Sequence, residues 1–100
     1  MAEQDATIVA PEQYKVEYED DRVRVVRVSY APGAKSKLHS HPAVIGVLLT
    51  DAHIKFGDSS GQAQEMRITA GQAIPMPAAS HTAENLGNQP FEGVLVEIKG

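Results

Sequence analysis

A chain of 100 residues can form one domain with one core, and 42% hydrophobic with 22% charged residues is a composition typical of folded globular proteins. The formal net charge of -4, with nine scattered basic residues, argues against nucleic acid as a partner, because phosphate binding depends on clustered lysine and arginine. The absence of cysteine excludes disulfides, thiolate metal sites and thiol nucleophiles.

The start of the chain has neither the basic nor the apolar region of a signal peptide, and no apolar run reaches membrane-spanning length. These features predict a cytoplasmic protein with no membrane partner. Residues 1–12 are predicted to be a flexible arm or a strand swapped onto a neighbour, because Thr7-Ile8-Val9 precedes Pro11 without a sustained period. Such a crossing strand, covering an exposed sheet edge, predicts a homodimer.

From Tyr14 onward, short β-rich segments alternate with turn residues, and no stretch shows a convincing helical period. This pattern predicts an all-β sandwich or barrel, with residues 13–100 as one domain. In residues 22–30 the apolar side chains fall on both faces of a strand. An extra residue near Val25-Val26 would turn both sets inward, so we predict a β-bulge there.

The later segments also read as strands. Residues 43–50 are a nearly continuous apolar run, and Ile54 and Phe56 continue after it with a period of two. The connection Asp51-Ala52 is short enough to make a hairpin of these two segments. In the last strand, residues 91–99, three apolar side chains share one face: Val94, Val96 and Ile98.

Three histidines are the candidate metal ligands. His39 and His41 are separated by one residue, so on a strand both imidazoles project from the same face. His81 comes from a different segment, and two ligands from one strand with one from another can form a facial set with open positions. The alternative is that the pair are surface histidines beside a proline. His53 lies on the polar side of its segment, and we expect it to be solvated.

The predicted cavity is apolar, because inward positions after the second histidine carry no carboxylate if the strand keeps its register past Pro42. It would be lined by Ile45, Val47, Ile74, Met76 and Val96, which suits a partly apolar small molecule. Groups for proton transfer are scarce, and the candidates are Tyr30, Glu84 and Glu97. For the two glutamates the alternative is that they are simply solvated.

Several of these residues together resemble the two signature motifs of the cupin superfamily. In the first motif a glycine is followed, after five residues, by His-X-His, which here are Gly33, His39 and His41. In the second, a glycine precedes a proline, a histidine and an asparagine, and the matching residues are Gly71, Pro77, His81 and Asn85. The resemblance covers most of the chain. It implies a double-stranded β-helix, or jelly-roll barrel, with a metal inside.

The sequence departs from this family pattern in three places. The family's glutamate ligand, expected three or four residues beyond the second histidine, is replaced by Ile45 or Gly46. The glycine that closes the first motif is missing near Ala52-His53, and Ala79 stands where the second motif usually has glycine. Three neutral ligands do not offset the charge of a divalent ion, which leaves that charge for an anionic substrate.

With this ligand set the chain is similar to the three-histidine cupin dioxygenases, in which ferrous iron binds a substrate and oxygen. The resemblance implies a divalent ion (Fe(II), Zn, Ni or Mn) on His39, His41 and His81, and a small molecule as partner. The alternative is a non-catalytic cupin that binds or senses a small ligand around a degenerate metal site. The residues identify no catalytic group that decides between these functions. A third possibility, hydrogen-bonded core histidines, explains their convergence least well.

Overall fold

The structure, a computed structural model, describes residues 5–99. These residues form one short helix and nine strands. In chain order they are α1 Ala6–Val9, β1 Tyr14–Glu19, β2 Val23–Tyr30, β3 His39–His41, β4 Val44–Leu48, β5 Ala52–Gly57, β6 Ala63–Ile68, β7 Ala73–Met76, β8 Ala79–Asn85 and β9 Phe91–Ile98. Within residues 5–99, no helix has the length and apolar character needed to cross a membrane.

The strands form two sheets that face each other across the core. The larger sheet has the order β1-β2-β9-β4-β7 and the smaller one the order β3-β8-β5-β6, with neighbouring strands antiparallel. The predicted all-β jelly-roll fold is therefore confirmed. The connection at Asp51-Ala52 is not the predicted hairpin, because β4 pairs with β7 and β9 whereas β5 pairs with β6 and β8. β4 and β5, although consecutive in the chain, therefore lie in different sheets.

The core consists of inward side chains from both sheets. Val26 and Tyr30 of β2 are each 1% exposed, and Ile54 of β5 and Phe91 of β9 are also buried. Tyr30 stacks on Phe91 with their ring centroids 4.9 Å apart. Each such apolar side chain contributes about 1.5–3 kcal/mol when it is removed from water. These contacts hold the two sheets together around the region where the histidines lie.

The segment before β1 packs against its own chain. Ala6 and Ala10 are 2% and 3% exposed and belong to the core. Asp5 caps α1 by accepting a hydrogen bond from the Thr7 amide at 2.9 Å, and it also forms a parallel bridge with Ser40. At residues 5–10 the structure thus differs from the predicted loose arm or swapped strand, because two alanines small enough for the core anchor a helical turn. Residues 1–4 of that predicted arm lie outside the described residues.

The β-bulge is in β1 and not in β2. The β1–β2 register shifts between Val16 and Tyr18, which face Val26 and Val25 and leave Glu17 as the extra residue. The ladder between β2 and β9 is regular over its whole length. The predicted bulge at Val25-Val26 was wrong, because β2 lies between two neighbours and keeps its alternation, so Val25 and Val26 point to opposite faces of the sheet.

Two motif glycines stand where the backbone turns. Gly33 has a φ of 78° and Gly71 a φ of 87°, a region that residues with a side chain rarely adopt. Asn85, also a motif residue, is 2% exposed. Its side-chain amide donates hydrogen bonds to three backbone carbonyls, and its carbonyl oxygen accepts one from the Gly87 amide at 2.8 Å. Asn85 therefore joins the loops before β3 and β9 and has a structural role.

We expect Asn85→Ala to lower the free energy of unfolding by about 2–3 kcal/mol, because it leaves buried backbone groups without partners. Urea unfolding followed by circular dichroism measures this change. Asn88→Ala, in the exposed part of the same loop, is the matched control and should change stability by less than about 0.5 kcal/mol. Equal effects of the two substitutions would contradict the role of Asn85.

Candidate metal centre

Two neighbouring strands of the smaller sheet present the three histidines. His39 and His41 lie at the two ends of β3, and their side chains share a face because one residue separates them. In the antiparallel ladder between β3 and β8, His39 lies directly opposite His81. The pairing of β3 with β8 therefore brings the three histidines together, as predicted. His39 and His41 are 0% and 8% exposed, and His81 is partly buried.

The His39 ring shows which of its nitrogens is free to bind an ion. Its Nδ1 lies 2.7 Å from the backbone carbonyl of Lys37, and since a carbonyl only accepts, Nδ1 carries the proton and donates. Its Nε2 therefore has a lone pair. That atom is buried, and among the described residues it has no hydrogen-bond partner. Buried polar atoms are rarely left unpaired, so this nitrogen fits a metal ligand.

The distances among the three rings allow one ion to be shared. The centroid of the His39 ring is 4.7 Å from that of His41 and 4.9 Å from that of His81, and the last two are 5.2 Å apart. One ligand nitrogen from each histidine lies within 4.8 Å of the other two. An ion bound at about 2.1 Å from each nitrogen fits between them after small side-chain adjustments.

Burial keeps these histidines in the neutral form. It lowers the pKa of His41 to about 3, helped by the nearby His39 and His81, and the pKa of His81 to about 4, helped by His39. The pKa of His39 is also lowered, mainly by burial. Only a neutral imidazole has the lone pair that binds a metal. The three candidate ligands are thus in the protonation state that metal binding requires at neutral pH.

A cavity of about 90 Å³ lies between the sheets, with His41 and His81 in its wall. Of the predicted lining residues, Val47, Ile74 and Met76 line this cavity. Ile45 and Val96 do not: Ile45 is 39% exposed, and the two pair with each other on the outer face of the larger sheet.

The prediction that Ile45 and Val96 line the cavity failed for a local reason. β3 and β4 belong to different sheets, and the break at Pro42-Ala43 between them does not preserve the alternation that follows His41. The inward residue of β4 beside Ile45 is Gly46. In β9 the inward set likewise contains Leu95 and not Val96.

The place of the family's glutamate has apolar surroundings. A Cβ at Gly46 would lie 3.4 Å from the Leu95 Cδ2 atom and 3.6 Å from the Met76 sulfur, which are ordinary van der Waals distances. The cavity wall at this point is therefore apolar. In the described part of the chain, the group that could hold a metal ion contains His39, His41 and His81 without a carboxylate.

Sequence reasoning missed one residue at the site, Tyr14. Its ring centroid lies 4.7 Å from that of His39 and 5.2 Å from that of His41, and its hydroxyl shares a hydrogen bond of 2.6 Å with the Tyr30 hydroxyl. Both tyrosines line the cavity, and burial raises the pKa of each. They are neutral hydrogen-bonding groups. No local motif marks Tyr14, because its position depends on the packing of β1 beside β3.

The other proton-transfer candidates lie away from the cavity lining. Glu84 faces Lys55 in the ladder between β5 and β8. Glu97 is 6% exposed, and both of its carboxylate oxygens accept hydrogen bonds from Arg24, at 2.8 and 2.9 Å. The alternative that Glu97 is simply solvated is therefore wrong, since this side chain lies on the inward face of β9. His53 is outside the metal site, with its Nε2 atom 2.9 Å from a carboxylate oxygen of Glu65.

Arg24 also joins the N-terminal segment to the region of the ligands. Its guanidinium donates to Asp5 at 2.6 Å as well as to Glu97. Asp5 in turn pairs with Ser40, which lies between two of the histidine ligands. This ion-pair network therefore supports the strand that carries His39 and His41. Removal of Arg24 would leave a buried carboxylate without a counter-ion.

Comparison with known proteins agrees with this architecture. No protein-family model and no curated protein matches the sequence. A cupin domain from Bordetella pertussis Tohama I has a TM-score of 0.80 and 24% identity, over 87% of this chain and 92% of that one. A protein with a double-stranded β-helix domain from Klebsiella pneumoniae has a TM-score of 0.67 and 24% identity, over 88% and 78%.

An oxalate decarboxylase variant from Bacillus subtilis is similar over 81% of this chain but only 22% of its own, with a TM-score of 0.60 and 19% identity. All three solved structures are thus similar to this chain in fold. In this chain that architecture brings together His39, His41 and His81, the histidines of the two motifs. The chain has the double-stranded β-helix fold of the cupin superfamily.

Proposed function

We propose that the chain binds one divalent transition-metal ion through His39, His41 and His81, and that this ion acts on a small molecule in the adjoining cavity. The observation that carries the proposal is the buried Nε2 atom of His39, which has no hydrogen-bond partner among residues 5–99. If these histidines were only packed in the core, the unpaired nitrogen would lower the free energy of unfolding by about 1–3 kcal/mol. A bound ion satisfies it.

The charge of the ligand set favours an anionic or oxygen-rich substrate. Three neutral imidazoles leave the ion its full double charge, and no described carboxylate shares the site. A facial set of three ligands also leaves coordination positions for substrate atoms. An Fe(II) ion, once bound, would supply Lewis-acid activation and a redox-active centre for reaction with O₂.

The cavity limits the size and polarity of the substrate. Its volume is about 90 Å³, and its wall beyond the histidines and tyrosines is made of apolar side chains such as Phe56, Met66 and Leu95. This environment favours a molecule of few atoms with an oxygen-bearing head and an apolar body. Tyr14 and Tyr30 provide neutral hydroxyls to orient such a head, since burial raises the pKa of both.

The activity we propose is that of an Fe(II)-dependent dioxygenase. A dioxygenation adds both atoms of O₂ to the substrate, so the reaction needs no separate reductant. We expect the Fe(II)-loaded protein to consume O₂ with at least one member of a panel of small diketones, phenols and keto acids. The Zn(II)-loaded protein is the matched control, because zinc has no redox chemistry and should give no uptake. Oxygen-electrode traces measure the rate.

A second function, metal-dependent binding without turnover, is favoured by the scarcity of acid-base groups at the cavity. Of the candidates for proton transfer, only Tyr30 lines it, and burial raises its pKa. A binding protein would show a higher melting temperature with a member of the panel but no O₂ uptake with Fe(II). Absence of both responses, in protein shown to contain the metal, would contradict both functions for these compounds.

A further inference from the structure

Three charged side chains connect the larger sheet to the strand that carries two of the candidate ligands. Arg24 of β2 lies opposite Glu97 of β9 in the ladder of the larger sheet, and both carboxylate oxygens of Glu97 accept hydrogen bonds from Arg24. Arg24 also donates to Asp5 at 2.6 Å. We call Asp5, Arg24 and Glu97 the charged layer.

The charged layer is largely withdrawn from water and is not electrically neutral. The side chains of Asp5, Arg24 and Glu97 are 19%, 16% and 8% exposed. Burial opposes the ionisation of Asp5, but hydrogen bonds from Thr7 and Arg24 lower the pKa of its carboxyl below the usual value. Two carboxylates and one guanidinium give the layer a net charge of -1. A charge with so little contact with water is screened less than a surface charge.

The carboxylate of Asp5 is the part of the charged layer that adjoins the candidate ligands. Asp5 forms a parallel bridge with Ser40, and Ser40 lies between His39 and His41. Bridged backbones are about 5 Å apart, so this carboxylate lies on the order of 10 Å from an ion held by these histidines. Lys37, two residues before His39, is exposed, so water and salt screen its charge. The local field at the metal centre therefore favours a cation.

The three candidate ligands are neutral imidazoles, so they supply no negative charge of their own. The attraction between a nearby carboxylate and a bound cation grows in proportion to the charge of the cation. We propose that Asp5, held in place by Arg24 and Glu97, stabilises the ion from outside the ligand set and favours divalent over monovalent ions. This role of Asp5 rests on the proposed function, in which the three histidines hold the ion.

A purely structural role of Asp5 makes a different prediction. Asp5 caps α1 and its backbone pairs with β3, so it also anchors the N-terminal segment beside the ligands. If loss of this anchor displaced His39 and His41, binding of every ion would weaken by the same factor. A charge effect depends on the ion, because the free energy of attraction is twice as large for a divalent ion as for a monovalent one at the same site. The affinities of two ions of different charge therefore separate the two roles.

The affinities of Asp5→Asn for Zn(II) and Cu(I) test the proposal, measured by competition with coloured chelators under anaerobic conditions. Asparagine is about as good a helix N-cap as aspartate, so the substitution removes the charge and keeps the cap. We expect Zn(II) binding to weaken about 10-fold and Cu(I) binding about 3-fold, because the lost charge acts twice as strongly on the divalent ion. Asp5→Ser also retains a cap and should give the same two factors.

The matched control is Asp51→Asn, which removes the same charge far from the metal centre. Asp51 precedes β5 and accepts a hydrogen bond from the Ala70 amide. At the other end of β5, Gly57 pairs with Thr82, the residue after His81, so Asp51 lies roughly 20 Å along the sheet from this ligand. Salt screens an exposed charge at that distance, and both affinities should equal those of the wild type. Circular dichroism spectra check that all variants are folded.

Failure of this role and failure of the metal centre give different results. A wild-type chain that binds neither ion overturns both proposals. If the wild type binds Zn(II) and Asp5→Asn binds it equally well, the metal centre stands and the role of Asp5 is overturned. Equal losses of Zn(II) and Cu(I) affinity also overturn this role, because they indicate an anchor only. A larger loss for Zn(II) than for Cu(I), absent from Asp51→Asn, supports it.

Discussion

His39→Gln is expected to weaken binding of a divalent metal ion at least about 100-fold. Substitution of residues that only orient a metal ligand already costs about 10- to 100-fold, and this change removes a candidate ligand itself. His39 supplies the nitrogen that is buried and without a partner. Glutamine keeps similar bulk but places an amide where the imidazole nitrogen stood. Competition with a coloured chelator, using Zn(II) and then Fe(II) under anaerobic conditions, measures the affinity.

The control for this prediction is His53→Gln. His53 is also on a strand of the smaller sheet, but its ring bonds with Glu65 on the outside, away from the three ligands. We expect its metal affinity to equal that of the wild type. Circular dichroism spectra of both variants check that the fold is retained. If His39→Gln retains wild-type affinity while folded, the ion does not bind through this histidine.

The metal-free protein is expected to lose about 4 kcal/mol of stability between about pH 7 and about pH 5 from His41 and His81 alone. Their pKa values in the folded chain are about 3 and about 4, mainly because burial disfavours the charged form. In the unfolded chain a histidine has a pKa of about 6.5. Below that pH the unfolded state binds more protons than the folded state, so the free energy of unfolding falls as the pH falls.

This loss begins near the unfolded pKa and ends only when the pH passes the folded values. Urea unfolding with a chelator present, followed by the fluorescence of the three tyrosines, measures it at several pH values. The matched variant is His41→Gln/His81→Gln, whose curve should be less steep below about pH 6.5 because it keeps only the contributions of His39 and the carboxylates. Parallel curves for the variant and the wild type would contradict buried, neutral histidines.

Local patterns in the sequence were sufficient to predict that the three candidate ligands would converge. His39 and His41 share a face because alternation along a strand is a property of the backbone itself. The turn glycines Gly33 and Gly71 adopt positive φ for an equally local reason. The spacing of these residues with His81 also led to the correct fold. The sequence thus predicted the fold and the three histidines that it brings together.

The residues that shape the site depended on long-range pairing. Ile45 and Val96 satisfied the expected pattern of a cavity wall, yet they form the outside of the sheet and Gly46 lines the cavity. Tyr14 lies against two of the ligands without any motif to indicate it. Which face of a doubly apolar strand turns inward is decided by its neighbours and not by its own residues.

By itself, the sequence determined an all-β chain with three histidines suited to one ion, because strand alternation and turn chemistry act over a few residues. Only the tertiary structure decided that β3 and β4 separate into different sheets and where the bulge of β1 lies. It also decided that Glu97 pairs with Arg24 and not with water. These outcomes depend on contacts between residues far apart in the chain, and the pairing register that brings such residues together is a property of the whole sheet.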